Sequence, residues 1–118
     1  MRKRLVDSIL DGNVDVTVYS NTKHLWSFTT RAKIDTGADR SSIDNELAIA
    51  LRLRKIDEIV VRNANGRKRR PVYAMDIDVN GIRYEIEVNG SDRSKLVYPI
   101  ILGRLDLLEI CEEEWKNT

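Results

Sequence analysis

Ala32-Lys33-Ile34-Asp35-Thr36-Gly37-Ala38-Asp39 reads as strand, acid, hydroxyl and glycine in succession. An alternating run from Trp26 to Ile34 delivers Asp35 to a tight turn at a strand end. Thr36 sets a hydroxyl beside the carboxylate, and Gly37 lets backbone come close. A reactive carboxylate needs this setting: a rigid strand behind it, donors around it and room in front of it. The same residues also suit an ordinary Asx turn, so the reading depends on a second element. That element is Tyr98-Pro99-Ile100-Ile101-Leu102-Gly103-Arg104, an apolar strand that ends in glycine before a short helix expected from Leu105 to Ile110. Asp35-Thr36-Gly37 occurs once in the chain.

Asp35-Thr36-Gly37-Ala38 resembles the active-site signature of retropepsin-like aspartic proteases, and Ile101-Leu102-Gly103 resembles the apolar strand that backs it. The resemblance implies an all-β, closed retropepsin-like barrel with one or two short helices. It also implies Asp35, Thr36 and Gly37 as the catalytic motif, with Thr36 cross-bracing two active-site loops. Aspartic protease chemistry uses two carboxylates that share one proton. A chain with one such motif therefore implies a two-fold homodimer. Ala38, Ile101, Leu102 and Gly103 would support the site. In the resembled family, the acid four residues after the catalytic one pairs with the arginine after the glycine. That implies a buried bidentate Asp39–Arg104 pair tying the loop to the terminal helix.

The 118 residues fit one domain, 1–118, with 42% hydrophobic content and a formal net charge of +1. So small a core gains from oligomerisation. The balanced charge argues against a whole-molecule nucleic-acid binder. A single cysteine, Cys111, excludes an internal disulfide and fits a reducing compartment. Met1-Arg2-Lys3-Arg4 is basic like a signal-peptide start, but the apolar run after it is short and broken by Asp7 and Asp11. No stretch approaches the ~18 apolar residues of a membrane span. The expectation is a cytoplasmic protein that does not engage a membrane.

Strands are expected at Val14–Tyr19, Leu25–Ile34, Ile56–Arg62, Arg70–Val79, Ile82–Val88 and Val97–Leu102, with Asp35 to Ser42 as the active-site loop. Asn80-Gly81 is a strong hairpin signal, and Asn89-Gly90-Ser91-Asp92 reads as a further turn. A helix capped by Ser42 or Asp44 is expected from Asn45 to Leu53, with Leu47, Ala50 and Leu51 on one face. Pro71 marks an edge or an arm free of ladder bonding there.

Asn63, Asn65 and Gly66 stand where retropepsins carry the flap that closes over substrate. Arg67-Lys68-Arg69-Arg70 come next as four consecutive cations. Such a run reads as a solvated face or as a surface for acidic substrate. Nucleic acid is not the expected partner, because aromatic residues are sparse around it. Arg62 to Arg67, Arg70-Pro71-Val72, Asp92-Arg93 and Tyr98 to Arg104 together resemble the RimB family, often labelled ATP-dependent zinc proteases. Its members accompany ATP-grasp ligases that add glutamate tails to proteins. The resemblance implies hydrolysis of peptide bonds in acidic, polyglutamylated tails.

The zinc label finds no donor set in the sequence. There is one histidine, His24, and one cysteine, and a catalytic zinc usually takes three protein ligands. No glycine-rich phosphate loop supports ATP binding. No metal and no cofactor is therefore expected. The favoured reading is a homodimeric aspartic peptidase. The alternatives are a non-catalytic peptide-binding or dimerisation module of the same fold, and a zinc-dependent peptidase. Viral retropepsins close their dimer with a sheet of termini, for which Glu112-Glu113-Glu114-Trp115 makes a poor strand.

Overall fold

The computed structural model describes residues 4–22, 26–92 and 97–116; the side chain of Asn63 is also outside the description. Met1-Arg2-Lys3, Lys23, His24, Leu25 and Arg93 therefore lie outside the described residues.

The elements in chain order are α1 (Leu5–Ile9), β1 (Asn13–Tyr19), β2 (Ser27–Asp35), β3 (Ser41–Asp44), α2 (Asn45–Ala50), β4 (Arg54–Asn63), β5 (Gly66–Val79), β6 (Ile82–Ser91), β7 (Ile100–Gly103) and α3 (Arg104–Lys116). The sheet runs β1-β2-β7-β3-β6-β5-β4, and a further β1–β5 pairing closes six strands into a barrel. β4 stays outside the ring and pairs with β5 alone. Most pairs are antiparallel; β2 with β7 and β3 with β6 are parallel.

Alternation fills the barrel. Val14, Val16 and Val18 of β1 are buried, as are Ala32 and Ile34 of β2 and Met75, Ile77 and Val79 of β5. Ile43, Val88, Ile100 and Leu102 complete the interior from β3, β6 and β7. Asn80 and Gly81 both take positive φ, 53° and 88°, as a two-residue turn between twisted strands requires.

Several boundaries differ from the sequence expectation, each for a local reason. Ser41 and Ser42 belong to a strand, not a loop, because all of β3 is buried between β6 and β7. Asn89-Gly90 is no turn: β6 continues to Ser91, with Asn89 donating to Ser41 O at 3.1 Å. Gly90 is there for space, since a Cβ would stand 3.0 Å from the Tyr73 ring and 3.1 Å from Pro71. α2 stops at Ala50, where Arg52 turns left-handed at φ 53°. Ala48 and Leu51 are buried, Leu47 is partly buried against the core, and Ala50 is exposed. Asp44 is its cap, accepting from Leu47 N at 3.4 Å.

The largest difference lies at the two ends of the described chain. α1 was not expected, and α3 runs past Ile110 through the acidic stretch to Lys116. Five residues cannot hold a helix alone. The buried Glu114 of α3 holds this one, both carboxylate oxygens accepting from Leu5 N at 2.9 Å. No helix among the described residues is long and apolar enough to cross a membrane.

Candidate active site

β2 and β7 carry the site. Their parallel register sets Lys33 beside Ile101, Ile34 beside Leu102 and Asp35 beside Gly103. Ile34 and Leu102 point into the core, which fixes the strand end from which Asp35 projects. Asp35 is half-buried, and Thr36 and Gly37 are exposed. Gly37 N donates to Asp35 Oδ1 at 3.0 Å, and Ala38 N donates to Asp35 O at 3.2 Å. The turn thus folds back on its own acid. A Cβ on Gly37 would press on Asp35 Oδ1 at 3.3 Å, so glycine here spares the carboxylate.

Gly103 answers a tighter constraint. A Cβ would stand 2.5 Å from Arg40 C and O and 2.9 Å from Ser41 N. The expected crowding at this position is real, and it comes from the returning loop backbone. α3 begins one residue later and is stitched to that loop: Arg104 N donates to Ala38 O at 2.6 Å, and Leu105 N to Asp39 O at 3.2 Å.

Asp39 and Arg104 do meet. Arg104 Nη2 and Nε lie 2.9 and 3.2 Å from the one oxygen Asp39 Oδ1. The pair is exposed, not buried, with Asp39 side-chain exposure at 72%. It is also a fork onto one oxygen rather than two. Solvent screening makes such a pair worth no more than about 1 kcal/mol, so the backbone bonds do more to fix the loop.

The buried polar contact at the site involves residues the sequence reading passed over. Ser41 Oγ accepts from Gly103 N at 3.0 Å and donates to Asp106 Oδ2 at 2.5 Å. Ser41 is fully buried and Asp106 half-buried. Burial pushes the Asp106 carboxyl above its ordinary range; the Ser41 hydroxyl opposes this, and Glu109 and Glu87 add to it. Asp106 follows Leu105 in the first helical turn, where an acid is ordinary for helix reasons, and that masked it. A cleft of about 280 Å³ opens beside it, lined by Asp39, Arg40, Glu85, Glu87, Asp106 and Glu109 among others.

β4 and β5 extend beyond the barrel as a two-stranded ribbon. β5 meets β6 only from Val72 on, so Gly66–Pro71 pair with β4 alone. Pro71 sits where the second ladder stops, as an arm requires. Asn63 pairs with Gly66 across the Ala64-Asn65 turn, and Gly66 takes φ 114°. Alternation divides the four cations. Arg67 and Arg69 share a side with Arg62 and Val60; Lys68 and Arg70 share the other with Val61 and Ile59. The first side is the one that carries Tyr73, Met75 and Ile77 into the core further along β5. Arg69 lies 3.6 Å from Glu58, whose carboxyl Lys55 at 2.6 Å holds below its usual range, with Arg69 adding to the effect.

Among solved structures, the chain is similar to the protease of Simian Foamy Virus (mac). The TM-score is 0.60 and the identity 23%, over 81% of this chain and 91% of that one. It is similar also to the retroviral protease-like domain of Ddi1 from Leishmania major, with TM-score 0.53 and 13% identity over 81% of this chain and 75% of that one. The fold is retropepsin-like. No family model and no curated protein sequence matches the chain. Among the described residues no three histidine, cysteine or carboxylate side chains are grouped to hold a metal ion.

Proposed function

We propose that this chain is one half of a homodimeric aspartic peptidase, with Asp35 as its catalytic acid. The observation that carries the reading is the placement of Asp35. It is the last residue of a core-anchored strand, half-buried, locked to Gly103 by register and bonded through one oxygen to Gly37 N. Set across a two-fold axis from its counterpart, it forms a pair of carboxylates that cannot both ionise at ~3 Å. One takes a proton from water as general base. The other donates its proton to the substrate carbonyl oxygen. The resulting diol collapses with cleavage of the C–N bond, and no covalent enzyme intermediate forms. Thr36 would brace the two turns against each other.

The substrate in this reading is an acidic peptide, in line with the resemblance to the RimB family and its glutamate tails. Arg62, Arg67 and Arg69 supply the charge, on the ribbon side that continues the core-facing side of β5. The decisive experiment is cleavage of glutamate-rich and neutral peptides by wild type and Asp35→Asn. The amide is nearly isosteric and cannot act as the base, so hydrolysis should vanish while the circular dichroism and melting stay as in wild type. Turnover retained in Asp35→Asn removes the catalytic assignment. Peptide binding without cleavage by wild type leaves a binding module of this fold.

A further inference from the structure

Glu114 is a buried carboxylate with no cation beside it. It keeps 6% of its surface, and both of its oxygens lie 2.9 Å from a single backbone nitrogen, Leu5 N. Among the described residues it forms no ion pair; Lys116, two residues on, pairs with Glu112 and Glu113 instead. An amide nitrogen carries one hydrogen and cannot point it along two acceptors at once. A charge taken out of water is costly unless an opposite charge compensates it. An ammonium would meet both needs, since it brings three hydrogens and a full positive charge to the same point.

The sequence beside that nitrogen indicates how an ammonium could arise there. Leu5 follows Arg2-Lys3-Arg4, a run of three basic residues. Arg4 is exposed, with an extended backbone at φ −98° and ψ 151°, a shape that an endopeptidase can seat. Arg4 and Glu114 also line one cleft of about 250 Å³, so space borders the carboxylate on the side where the chain enters α1. Leu5 itself is fully buried, so a cut requires α1 to lift. A helix of five residues opens at little cost.

We infer that the Arg4–Leu5 bond is a processing site for a separate endopeptidase that selects runs of basic residues, and that Glu114 is the receptor for the α-ammonium released. Water is the only other reactant. Its oxygen ends in the new Arg4 carboxylate as the C–N bond breaks, and the Leu5 nitrogen takes up protons to become the ammonium. The inference does not depend on the peptidase reading above, whose acidic preference would make this chain a poor cutter of a basic run. Cutting gives up the contacts of Arg4 N with Asp7 Oδ2 at 3.3 Å and of Asp7 N with Arg4 O at 3.1 Å. It exchanges the amide contact of Glu114 for a buried ion pair. α1 then closes on α3 more firmly than before, which makes the step one-way.

The test is mild digestion of the full chain by a purified endopeptidase specific for paired basic residues, read by intact mass, then calorimetry of the uncut and cut forms. The first cut should fall after Arg4. At about pH 6 the cut form should melt about 4 °C or more above the uncut one. A free α-amino group titrates at about 8, and pairing with Glu114 raises that value. The gain should therefore be complete below about pH 8 and be lost as pH rises through the raised value. Asp7 and Cys111 also stand near Leu5, the thiol pushed up by burial and then by Glu114. Both belong to the uncut and cut forms alike and cancel in the comparison. Glu114→Gln keeps an acceptor for Leu5 N without the charge, so cutting that variant should bring no gain. A first cut elsewhere overturns the processing site. A cut form that melts no higher than the uncut one, a gain that survives at high pH, or an equal gain in Glu114→Gln overturns the receptor. If Glu114→Gln fails to fold, the pH dependence of the wild-type difference decides alone.

Discussion

Gly103→Ala should cost both stability and turnover, by amounts set by its surroundings. The added methyl would stand 2.5 Å from Arg40 C and O and 2.9 Å from Ser41 N. Carbon contacts are comfortable at about 3.5–4.0 Å, so β7 and the loop must part by on the order of 1 Å. Both sides are backbone, and neither offers a flexible side-chain end that could give way. Overpacking of this kind costs about 1–3 kcal/mol. For a chain of this size each kcal/mol lowers Tm by roughly 4 °C, so a drop of roughly 4–12 °C is expected. The same displacement stretches the Gly103 N to Ser41 Oγ bond of 3.0 Å and the Arg104 N to Ala38 O bond of 2.6 Å. Asp35 shares the Gly103 register, so its carboxylate shifts with the loop. A misplacement of about 1 Å is worth about 100-fold in rate. Calorimetry and kcat on one preparation measure both effects. A variant that melts with wild type refutes the packing argument. One that melts early yet turns over at full rate refutes the coupling between Gly103 and the carboxylate.

Other substitutions separate the remaining contacts. Asp39→Ala removes an exposed pair and should change unfolding free energy by less than about 1 kcal/mol by denaturant titration; a larger loss would show that the pair organises the loop. Asp106 has its folded-state carboxyl pushed up, so the fold holds its proton more tightly than the unfolded chain does. Stability should therefore fall as pH rises through the window between the ordinary and the raised value. Asp106→Asn keeps an acceptor for Ser41 and should flatten that slope; parallel curves for the two proteins would refute the assignment. Glu114→Ala strips α1 of its anchor and should cost about 1.5–3 kcal/mol, with hydrogen exchange rising first at Leu5 to Ile9. Converting Arg67 and Arg69 to Gln should raise KM for glutamate-rich peptides and remove its salt dependence. The same change at Lys68 and Arg70 should do less, and equal effects would deny the division between faces.

The barrel was legible because its strands announce themselves twice. Val14, Val16 and Val18, and Ile86 and Val88, alternate cleanly, and Asn80-Gly81 punctuates them. The Asp35 turn and its backing strand were legible because a short polar motif and a distant apolar one keep a fixed order. What stayed hidden depends on tertiary partners. Gly90 looks like a turn residue until Tyr73 and Pro71 are seen against it. α1 is too short to declare itself, and its anchor is a glutamate inside an acidic stretch that looks solvated. Asp106 hides for the same reason: nothing in Leu105-Asp106-Leu107 reveals that a buried serine faces it. The Asp39–Arg104 pair was readable as a contact but not as an exposed one, since burial is a property of the neighbours.

β7 spans only Ile100–Gly103, yet it lies between β2 and β3, parallel to one and antiparallel to the other. Its strand partners are therefore some 60 residues earlier in the chain, and contacts of such long separation slow folding. As the chain leaves a ribosome, β1 to β6 emerge while the gap between β2 and β3 is still open. In that interval two strand edges stay exposed to stray pairing. Insertion of β7 closes those edges and seats Gly103 beside Asp35 in one event. The end of β2 is thus fixed among the last steps of folding, once the barrel around it is complete.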